Sequence, residues 1–583
     1  MTWQAWVTLA VTGLTVIMMV YDVVAPSLIL FGAAMLLMLV HVVTPAQALQ
    51  GFSNTAPLSV AALYVLARAA EKTGALQPAL RATLGGARGL KGSLPRLLIP
   101  VAASAAFFHS TAIVAMLVQP VTQWCERNRV SPSRYLMPVS YVTILGSVVT
   151  LMGTSTNLVV SGMLEASGHG PLHMFEQTHV GLPIALVGVV LVILLAPRVL
   201  PDRRPAQESL ADGVSEFLVS MQVAAGGPLD GASVAAGGLR HLQGVFLVQV
   251  DRGGEVIAPV SPEFPLRGGD VLTFAGRANL VVDLQTMPGL VSAEAKHLDE
   301  LDSPRHTFFQ AVIGPASPLL GKTLRELQFR DRYQAAVVAI HRAGRRVGSK
   351  LGEVELRAAD MLLILADPGF AGRWRDRGDF LLVARMDGST PAASRKAWIV
   401  GLITLAIVVL SGLEIIPLFQ ASVIAAFALI GFGVLTPGEA RNAVDLDVVV
   451  LIAASFGLGA AIEHSGLGAV GARLLLAPFH AMGPRGAILG IVLAMMILVE
   501  AVSHGAAAAV LFPIGMAAAK TSGVDPHTMA VAIAVSASCS FLTPIGYQTN
   551  TMVYGPGGYR FSDYARLGFP LTLVVITAIV WLV

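Results

Sequence analysis

The stretch Phe108-His109-Ser110-Thr111 is a short polar turn between two apolar runs, residues 97–107 and 112–121. Neither run has the about 20 apolar residues that a helix needs to cross a bilayer, so the pattern predicts a re-entrant hairpin. Non-helical backbone at membrane depth is tolerated only where protein or a water-filled cavity surrounds it. The turn is therefore predicted to face a polar cavity inside the protein.

A second polar turn lies near the other end of the chain, at Glu500-Ala501-Val502-Ser503-His504-Gly505. In each half a glycine-containing interruption follows the turn at nearly the same spacing. The first is Gly153-Thr154-Ser155-Thr156-Asn157 and the second is Gly546-Tyr547-Gln548-Thr549-Asn550. Interrupted apolar segments at corresponding positions of two halves are typical of the binding site of a secondary transporter.

Composition places the chain in the membrane. Its 583 residues are 55% hydrophobic and 13% charged, about half the charge of an average soluble domain. This predicts a polytopic membrane protein in contact with the lipid bilayer. The net charge of +3 is too small to indicate a nucleic-acid partner. Cys125 and Cys539 lie in or beside apolar segments, which indicates buried thiols rather than a disulfide framework or a metal site.

Two membrane halves, residues 1–200 and 396–583, are predicted around a polar insert. The first half has a hairpin over 97–125 and a broken helix over 135–163. The second half has a hairpin over 486–519 and a broken helix over 528–553, so the fold class is α-helical with two repeated halves.

Basic residues in the loops set the orientation of each half. They flank the first hairpin on both sides, so both flanks are predicted to be cytoplasmic, which only a re-entrant hairpin permits. The loop 165–180 has no Lys or Arg and is predicted to lie outside. The same count places the flanks of the second hairpin outside, which makes the halves an inverted repeat. The basic residues around the first hairpin are Arg68, Lys72, Arg81, Arg88, Lys91, Arg96, Arg127, Arg129 and Arg134.

The insert, residues 201–395, is predicted to be cytoplasmic and to be a tandem repeat of two α+β modules, 201–295 and 296–395. Pro228-Leu229-Asp230-Gly231 matches Pro318-Leu319-Leu320-Gly321, and the strands that follow match at the same offset without a gap. Neither copy has a glycine-rich phosphate loop, so no nucleotide-binding Rossmann unit is predicted.

The insert resembles the TrkA-C (RCK-C) domain of potassium-conductance regulators. Such modules pair and bind small ligands in some relatives. A small ligand on the insert and a purely structural pairing role are therefore both open.

The membrane halves resemble the divalent anion/sodium symporter (DASS) family, in its bacterial form with two TrkA-C modules. The resemblance is carried by residues 150–160 and by the run 541–559, which contains Gly546-Tyr547-Gln548-Thr549-Asn550. It implies an elevator-type homodimer in a bacterial-type cytoplasmic membrane, with scaffold helices at the dimer contact. It also implies that Na⁺ and a small divalent anion, such as sulfate or a dicarboxylate, bind at the hairpin tips, with no other cofactor.

The chain departs from that family at both tips. Family members usually have Ser-Asn-Thr or Asn-Asn-Thr at the first tip, where this chain has His109-Ser110-Thr111. At the second tip Asn-Asn-Ala or Ser-Asn-Thr is usual, and here the residues are His504-Gly505-Ala506. The central asparagine is replaced in both, so sodium stoichiometry and substrate identity are not carried over from the family.

Substrate contacts are predicted from hydroxyl groups, tip side chains and the N-terminal ends of half-helices, whose N–H groups favour an anion. Local bonding of Ser and Thr to the backbone is the structural alternative. The predicted substrate-binding residues are His109, Ser110, Thr111, Thr154, Ser155, His504, Gly505, Tyr547, Gln548 and Thr549.

Coupling-ion contacts are predicted where a broken helix leaves carbonyl oxygens free and where glycine permits the break. The predicted Na⁺-binding residues are Ser110, Gly153, Asn157, Thr543, Gly546 and Asn550.

His109 and His504 carry two open interpretations. Ionisable side chains within membrane segments are functional candidates, so they either bind the anion as neutral groups or titrate and couple transport to protons. Glu500, four residues before His504, is predicted to share a helix face with it and belongs to the same proton-coupling hypothesis.

The sequence thus predicts an ion-coupled secondary transporter of small divalent anions, with sulfate ahead of dicarboxylates. The alternatives are a metalloid or sodium/proton antiporter, a ligand-gated channel, or a transporter-like sensor regulated by the insert. An enzyme is not predicted, because the Ser, His and Cys residues form neither a hydrolase triad nor a zinc site.

Overall fold

The computed structural model divides into two compact units. A membrane unit holds Met1–Arg203 and Ser389–Val583, and an insert unit holds Arg204–Ile313 and Ser317–Gly388. The predicted module boundary at 295 and 296, the predicted insert end at 395, and Arg81, Arg88 and Arg129 lie outside the described residues. The structure describes residues 2–21, 24–75, 90–128, 130–202, 218–239, 245–253, 255–258, 260–276, 289–292, 307–314, 317–342, 345–347, 351–367, 369–374, 379–385 and 396–583.

The first half of the membrane unit is helical. Two short 3₁₀ segments, Gln50–Ser53 and Pro132–Arg134, connect some of its helices. Its helices are α1 Trp3–Val20, α2 Pro26–Leu39, α3 Pro45–Leu49, α4 Thr55–Thr73, α5 Leu90–Ala105, α6 Ser110–Arg127, α7 Leu136–Ser147, α8 Ser155–Ala166 and α9 Thr178–Val199.

The insert unit contains two five-stranded antiparallel sheets. The first is built from β1 Leu218–Val223, β2 Val245–Arg252, β3 Glu255–Ile257, β4 Val271–Gly276 and β5 Leu290–Ser292. The second is built from β6 Thr307–Val312, β7 Ala335–Arg342, β8 Arg345–Arg346, β9 Met361–Ala366 and β10 Leu382–Arg385, with the short helices α10 Phe329–Tyr333 and α11 Phe370–Trp374 and the 3₁₀ turn Leu351–Glu353.

The two sheets have the same topology. Their strand orders are β3-β2-β4-β1-β5 and, read from the opposite edge, β8-β7-β9-β6-β10. Met221 pairs with Leu272 in the first sheet, and Ala311 pairs with Leu362 in the second. Because strand order and register both repeat, the insert consists of two copies of one module.

A buried ion pair also repeats in the two modules. Arg252 donates from Nε and Nη2 to the Asp270 carboxylate at 2.8 and 2.7 Å, and Arg342 does the same to Asp360. Both acidic side chains are buried, and a two-point guanidinium contact satisfies such a carboxylate with good geometry. The pair therefore fixes the start of β4 and of β9 against the preceding hairpin.

Among the described residues, the second half of the membrane unit repeats the element order of the first with one additional helix, Leu467–Leu476, before its hairpin. A 3₁₀ segment, Ala477–Met482, precedes its helical hairpin. Its helices are α12 Ala397–Gly412, α13 Leu418–Gly431, α14 Pro437–Ala443, α15 Leu446–His464, α16 Leu467–Leu476, α17 Pro484–Leu498, α18 His504–Ser522, α19 Pro526–Ser538, α20 Gln548–Tyr554 and α21 Phe561–Leu582.

Local capping and packing follow the same repeat. The short helices α3 and α14 both begin with a capping box, Thr44 with Gln47 and Thr436 with Glu439. Helix α2 packs on α15 and α13 packs on α4, while α6 packs on α20 and α18 packs on α8. Each of these pairs joins one helix of the first half to one of the second. The contact of α2 with α15 corresponds to that of α13 with α4, and the contact of α6 with α20 corresponds to that of α18 with α8.

Five of the described helices are long and apolar enough to cross a membrane: α1, α9, α15, α18 and α21. This confirms the predicted class of polytopic helical membrane protein. One of the five, α18, is an arm of the second hairpin and has 19 residues. The helix continues past the apolar run through Lys520 to Ser522, so the length of the run underestimates the arm.

Candidate transport site

The two broken helices are interrupted at glycines that have no room for a side chain. A Cβ atom on Gly153 would lie 2.2 Å from the carbonyl oxygen of Ser147, and one on Gly546 would lie 2.1 Å from Ser540 Oγ. The first break separates α7 from α8, and the second separates α19 from α20. At Gly153 the backbone of the break itself comes this close, and at Gly546 a side-chain oxygen does, so a side chain at either position would force its surroundings to shift.

In each half, one asparagine donates hydrogen bonds to the backbone of the break in the same way. Asn157 Nδ2 donates to the carbonyls ten and seven residues before it, at 3.3 and 3.0 Å. Asn550 Nδ2 donates to the carbonyls at the same two spacings, at 3.1 and 3.3 Å. Both side chains are fully buried. Their amide nitrogens therefore stabilise the unwound backbone.

The oxygen of each asparagine faces the other half of the membrane unit. Asn157 Oδ1 accepts a hydrogen bond from Ser538 Oγ at 3.3 Å, and Asn550 Oδ1 accepts one from Ser140 Oγ at 2.7 Å. These serines lie on α19 and α7, the helices that enter the opposite break. The two breaks are thus connected to each other by a reciprocal pair of bonds.

Tyr547 is the residue at which all four interrupted elements meet. Its hydroxyl lies 2.9 Å from Ser110 Oγ at the first tip and donates to Thr154 Oγ1 of the first break at 3.1 Å. Its ring stacks on His504 of the second tip, with centroids 4.4 Å apart. Tyr547 itself belongs to the second break and is only 2% exposed.

Further contacts hold the first tip against both breaks. The Ser110 N–H donates to the carbonyl of Gly153 at 3.3 Å, and Thr111 Oγ1 donates to Gln548 Oε1 at 3.3 Å. The imidazole of His109 packs on Tyr64 of α4, with ring centroids 5.2 Å apart. The first tip therefore contacts the second half through two side chains, and its own half through the backbone of Ser110 and the ring of His109.

Glu500 at the second tip supports the second break. Its Oε1 accepts hydrogen bonds from the N–H groups of Phe541 and Leu542 at 3.1 and 3.0 Å. The expected helix face shared by Glu500 and His504 is wrong, because α17 ends at Leu498 and residues 499–503 form a turn. Helical i,i+4 geometry does not apply across that turn.

Oxygen atoms surround the position that a Gly546 side chain would take. Ser540 Oγ, Glu500 Oε2 and Thr543 Oγ1 lie 2.1, 2.9 and 3.1 Å from the ideal Cβ position. Thr543 Oγ1 accepts from the Gly546 N–H at 3.0 Å. Within the part of the chain that the structure describes, Glu500 Oε2 and Ser540 Oγ are buried atoms without a hydrogen-bond partner.

Other buried polar atoms without a partner also lie at the tips, counting only the described residues. They are His109 Nε2, His504 Nδ1 and Ser503 Oγ. Leaving such atoms unsatisfied is costly in a protein interior, so their concentration here indicates a polar, ligand-binding region.

The structure connects most of the predicted site residues directly. Ser110, Thr111, Thr154, His504, Tyr547 and Gln548 are linked by side-chain contacts, and Gly153, Asn157, Thr543, Gly546 and Asn550 form the breaks behind them.

Three predicted residues are placed differently from that linked group. Ser155 is the first residue of α8, and Gly505 follows the first residue of α18, where a Cβ would lie 2.9 Å from the side chain of Leu451. Thr549 is fully buried, and its Oγ1 lies 2.9 Å from Ser140 Oγ.

Sequence reasoning missed the residues that support the predicted ones from a distance. Tyr64, Ser140, Ser538 and Ser540 lie on or beside apolar helices with no spacing that relates them to the tips. The available signal is that Ser140 and Ser538 are fully buried hydroxyls in otherwise apolar helices.

Three helices begin at or directly after residues that contact Tyr547. Helix α6 starts at Ser110, α8 starts one residue after Thr154, and α18 starts at His504. Helix N-termini offer unpaired N–H groups and the positive end of the helix dipole, which favour an anion. Fold and site together define a membrane transporter for anions whose site is built from paired interrupted helices.

Comparison with known families agrees with this class. A family model described as "Citrate transporter" matches residues 14–536, and one described as "Sodium:sulfate symporter transmembrane region" matches residues 491–583. The chain belongs to the citrate transporter family. This confirms the predicted relationship to anion symporters, while the TrkA-C-like identity of the two insert modules stays a prediction.

Similar proteins extend over nearly the full chain. A Chlamydomonas reinhardtii protein named as a candidate regulator of the sulfur deprivation response is 33% identical over 95% of this chain and 97% of its own length. An uncharacterized transporter of Synechocystis is 32% identical over 99% and 96%. Sodium/sulfate cotransporter 1 of Chlamydomonas reinhardtii is 24% identical over 98% and 88%.

Proposed function

We propose that the chain is a sodium-coupled secondary transporter of small divalent anions, with sulfate ahead of dicarboxylates. It works as an elevator-type homodimer in a bacterial-type cytoplasmic membrane, with both hairpins in the mobile part. The observation that carries the proposal is the convergence of two tips and two helix breaks on Tyr547. A site assembled from all four elements changes shape whenever one of them moves, as transport requires.

The chemistry around Tyr547 supports an anionic substrate. The N-terminal ends of α6, α8 and α18 supply N–H donors. His109 Nε2 and His504 Nδ1 are unpartnered within the described residues and are available as hydrogen-bond donors in the matching tautomers. A small oxyanion has only acceptor atoms, so this set of donors complements it.

The oxygen cluster at Gly546 supports sodium as the coupling ion. Glu500 Oε2, Ser540 Oγ and Thr543 Oγ1 surround one small region, and broken helices add carbonyl oxygens of the kind that coordinate Na⁺ in transporters. Asn157 and Asn550 contribute by stabilising the unwound backbone of the two breaks. Two of the relatives' names, sodium/sulfate cotransporters 1 and 2, support the same ion.

The ranking of sulfate first is also supported by names of relatives. One is named for the sulfur deprivation response and others for sodium/sulfate cotransport. The family model described as a citrate transporter makes citrate the carboxylate to compare.

Counterflow in proteoliposomes tests the proposed function. The full chain is reconstituted and loaded in turn with sulfate, succinate and citrate, and sodium and pH are varied independently. The expected result is accumulation of labelled sulfate against unlabelled sulfate only when sodium is present. Equal counterflow without sodium would contradict the sodium coupling, and counterflow with a carboxylate alone would contradict the ranking.

A transporter-like sensor is the second candidate, because one full-length relative is named as a regulator. A sensor binds its anion without moving it. Sodium-dependent sulfate binding in detergent together with no counterflow in sealed vesicles would favour the sensor.

Membrane topology gives a direct prediction from the inverted repeat. A cysteine placed at position 170 is expected to react with an impermeant thiol reagent from outside, and one at position 300 to react only after permeabilisation. Cys125 and Cys539 are both buried, so background labelling is low. Labelling of position 300 from outside, with position 170 protected, would contradict the inverted repeat.

The tip histidines give a second prediction. His109→Asn and His504→Asn are each expected to retain transport with altered anion selectivity, because asparagine keeps a neutral donor and acceptor. The rate should fall by about tenfold or less, the scale of one neutral hydrogen bond. His480→Asn, in the exposed part of Ala477–Met482, is the matched control.

The pH profile decides between the two interpretations of these histidines. Neutral binding groups leave the profile of uptake unchanged in both asparagine variants. Loss of pH-driven uptake in either variant, with exchange of substrate for substrate intact, would instead assign the coupling proton to that histidine.

A further inference from the structure

The segment 165–178, from the last residues of α8 to the first residue of α9, is named the strap here and holds the break of the first broken helix. Gln177 is 1% exposed, and its Nε2 donates to the carbonyls of Val148 and Thr150 at 3.0 and 2.8 Å. Thr178 Oγ1 donates to the carbonyl of Val149 at 2.7 Å. The strap therefore donates hydrogen bonds to three consecutive backbone carbonyls of the break, those of residues 148–150.

Backbone contacts add to this hold. The Leu151 N–H donates to the carbonyl of Met174 at 3.0 Å, and the Leu172 N–H donates to Ser161 Oγ at 2.9 Å. The first of these bonds lies within the break and the second on α8. Movement of the strap therefore shifts the same stretch of backbone to which Asn157 donates its hydrogen bonds.

The strap is connected to the second broken helix through one imidazole. His527, near the start of α19, has Nδ1 2.5 Å from Glu176 Oε1 and Nε2 2.9 Å from the carbonyl oxygen of His169. Both neighbours are oxygens that accept hydrogen bonds. A neutral imidazole has one N–H, whereas the imidazolium has two, so only the protonated ring makes both bonds.

The charges around His527 favour that protonated state. Glu176 Oε2 accepts from the N–H of His173 at 2.8 Å, which leaves the carboxylate with donors on both oxygens. Asp525, the N-cap of α19, accepts from the N–H of Thr528 at 2.9 Å. His179, the second residue of α9, has Nδ1 2.6 Å from the carbonyl oxygen of Glu176. The residues 165–180 include no Lys or Arg.

We propose that His527, as an imidazolium, is a positioning residue that holds the strap and, through it, the break of the first broken helix. Glu176 binds the imidazolium, and the next residue, Gln177, binds the carbonyls of the break. Deprotonation removes one of the two bonds of His527 and loosens the strap. The contact itself is independent of any substrate, and its consequence for transport rests on the proposed function.

Hydrogen exchange of the purified full chain tests this proposal without transport. Protection of peptides covering 148–151 and 165–178 is measured at about pH 6 and about pH 9, on either side of the ordinary histidine pKa, and corrected for intrinsic exchange. Protection is expected to fall about tenfold at the higher pH, the scale of one hydrogen bond to a charged group. Equal corrected protection at both pH values would overturn the proposal.

Three variants distinguish a His527 that acts through its charge from one with only a structural role. His527→Gln is expected to lose the pH dependence and to show the low protection at both pH values. His527→Lys keeps a cation and is expected to stay protected at both. Glu176→Gln removes the partner charge and is expected to move the midpoint to lower pH.

His480→Gln is the control variant and should behave as the parent. Parent-like exchange in His527→Gln, or an unchanged midpoint in Glu176→Gln, would overturn the proposal. Failure of counterflow with the exchange results intact would count against the proposed function alone.

Discussion

Tyr547→Phe is expected to lower the sulfate affinity of the folded protein by roughly 5- to 150-fold, equivalent to about 1–3 kcal/mol. The substitution keeps the ring that stacks on His504 but removes the hydroxyl. Ser110 Oγ and Thr154 Oγ1, 2.9 and 3.1 Å from it, lose their shared partner. The first tip and the first break then lose the connection to the second half that runs through this hydroxyl. Equilibrium binding and initial uptake rates measure the effect.

Tyr135→Phe is the matched control for this prediction. Tyr135 is also fully buried, and its hydroxyl lies 2.6 Å from Ser93 Oγ. Its removal takes away that hydrogen bond and is expected to lower thermal stability while leaving affinity per folded molecule unchanged. Equal affinity in Tyr547→Phe and Tyr135→Phe would show that the Tyr547 hydroxyl does not organise the site.

Gly546→Ala is expected to abolish sodium stimulation of transport. The added Cβ would lie 2.1 Å from Ser540 Oγ and 2.9 Å from Glu500 Oε2, so both oxygens must move. Overpacking of this kind costs about 1–3 kcal/mol in stability, and it places a methyl group inside the oxygen cluster. Uptake measured against sodium concentration reports the loss, and thermal denaturation reports the stability.

Two further variants isolate the cause of that loss. Gly13→Ala on α1 adds a methyl group with no atom within 4 Å and should leave sodium dependence unchanged. Ser540→Ala combined with Gly546→Ala relieves the closest contact and should restore stability without restoring sodium stimulation. Parent-like sodium activation in Gly546→Ala would remove the oxygen cluster from the proposed ion site.

The interruptions could be predicted because glycine and polar residues stand within otherwise apolar sequence. A glycine followed within four residues by a buried asparagine is unusual in an apolar helix, and it occurs at Gly153 and again at Gly546. The repeated insert was equally accessible, because turn residues and strand hydrophobicity recur at a fixed offset. Signals of this kind are local and need no knowledge of packing.

The supporting contacts could not be predicted, because they join residues far apart in the chain. Ser140 reaches Asn550, and Tyr64 packs on His109, only after the two halves have folded together. The prediction that Glu500 shares a helix face with His504 was wrong for a related reason. A periodicity rule assumes a continuous helix, and the chain turns between Leu498 and His504.

The strap shows how a loop escapes sequence reasoning. Glu176 and Gln177 are adjacent, yet one binds His527 of the second half and the other binds the break of the first. No charge pattern or repeat relates these partners. Only the folded backbone brings the N-terminal end of α19 to the strap.

The most direct test of the central claim is equilibrium binding of radioactive sulfate to the purified full chain, in sodium or in choline. Saturable binding is expected only in sodium, with parent-like affinity in Tyr135→Phe and strongly weakened affinity in Tyr547→Phe. Sulfate binding that is the same in choline and sodium, and the same in both tyrosine variants, would contradict a sodium-coupled anion site at the meeting point of the two tips and two breaks.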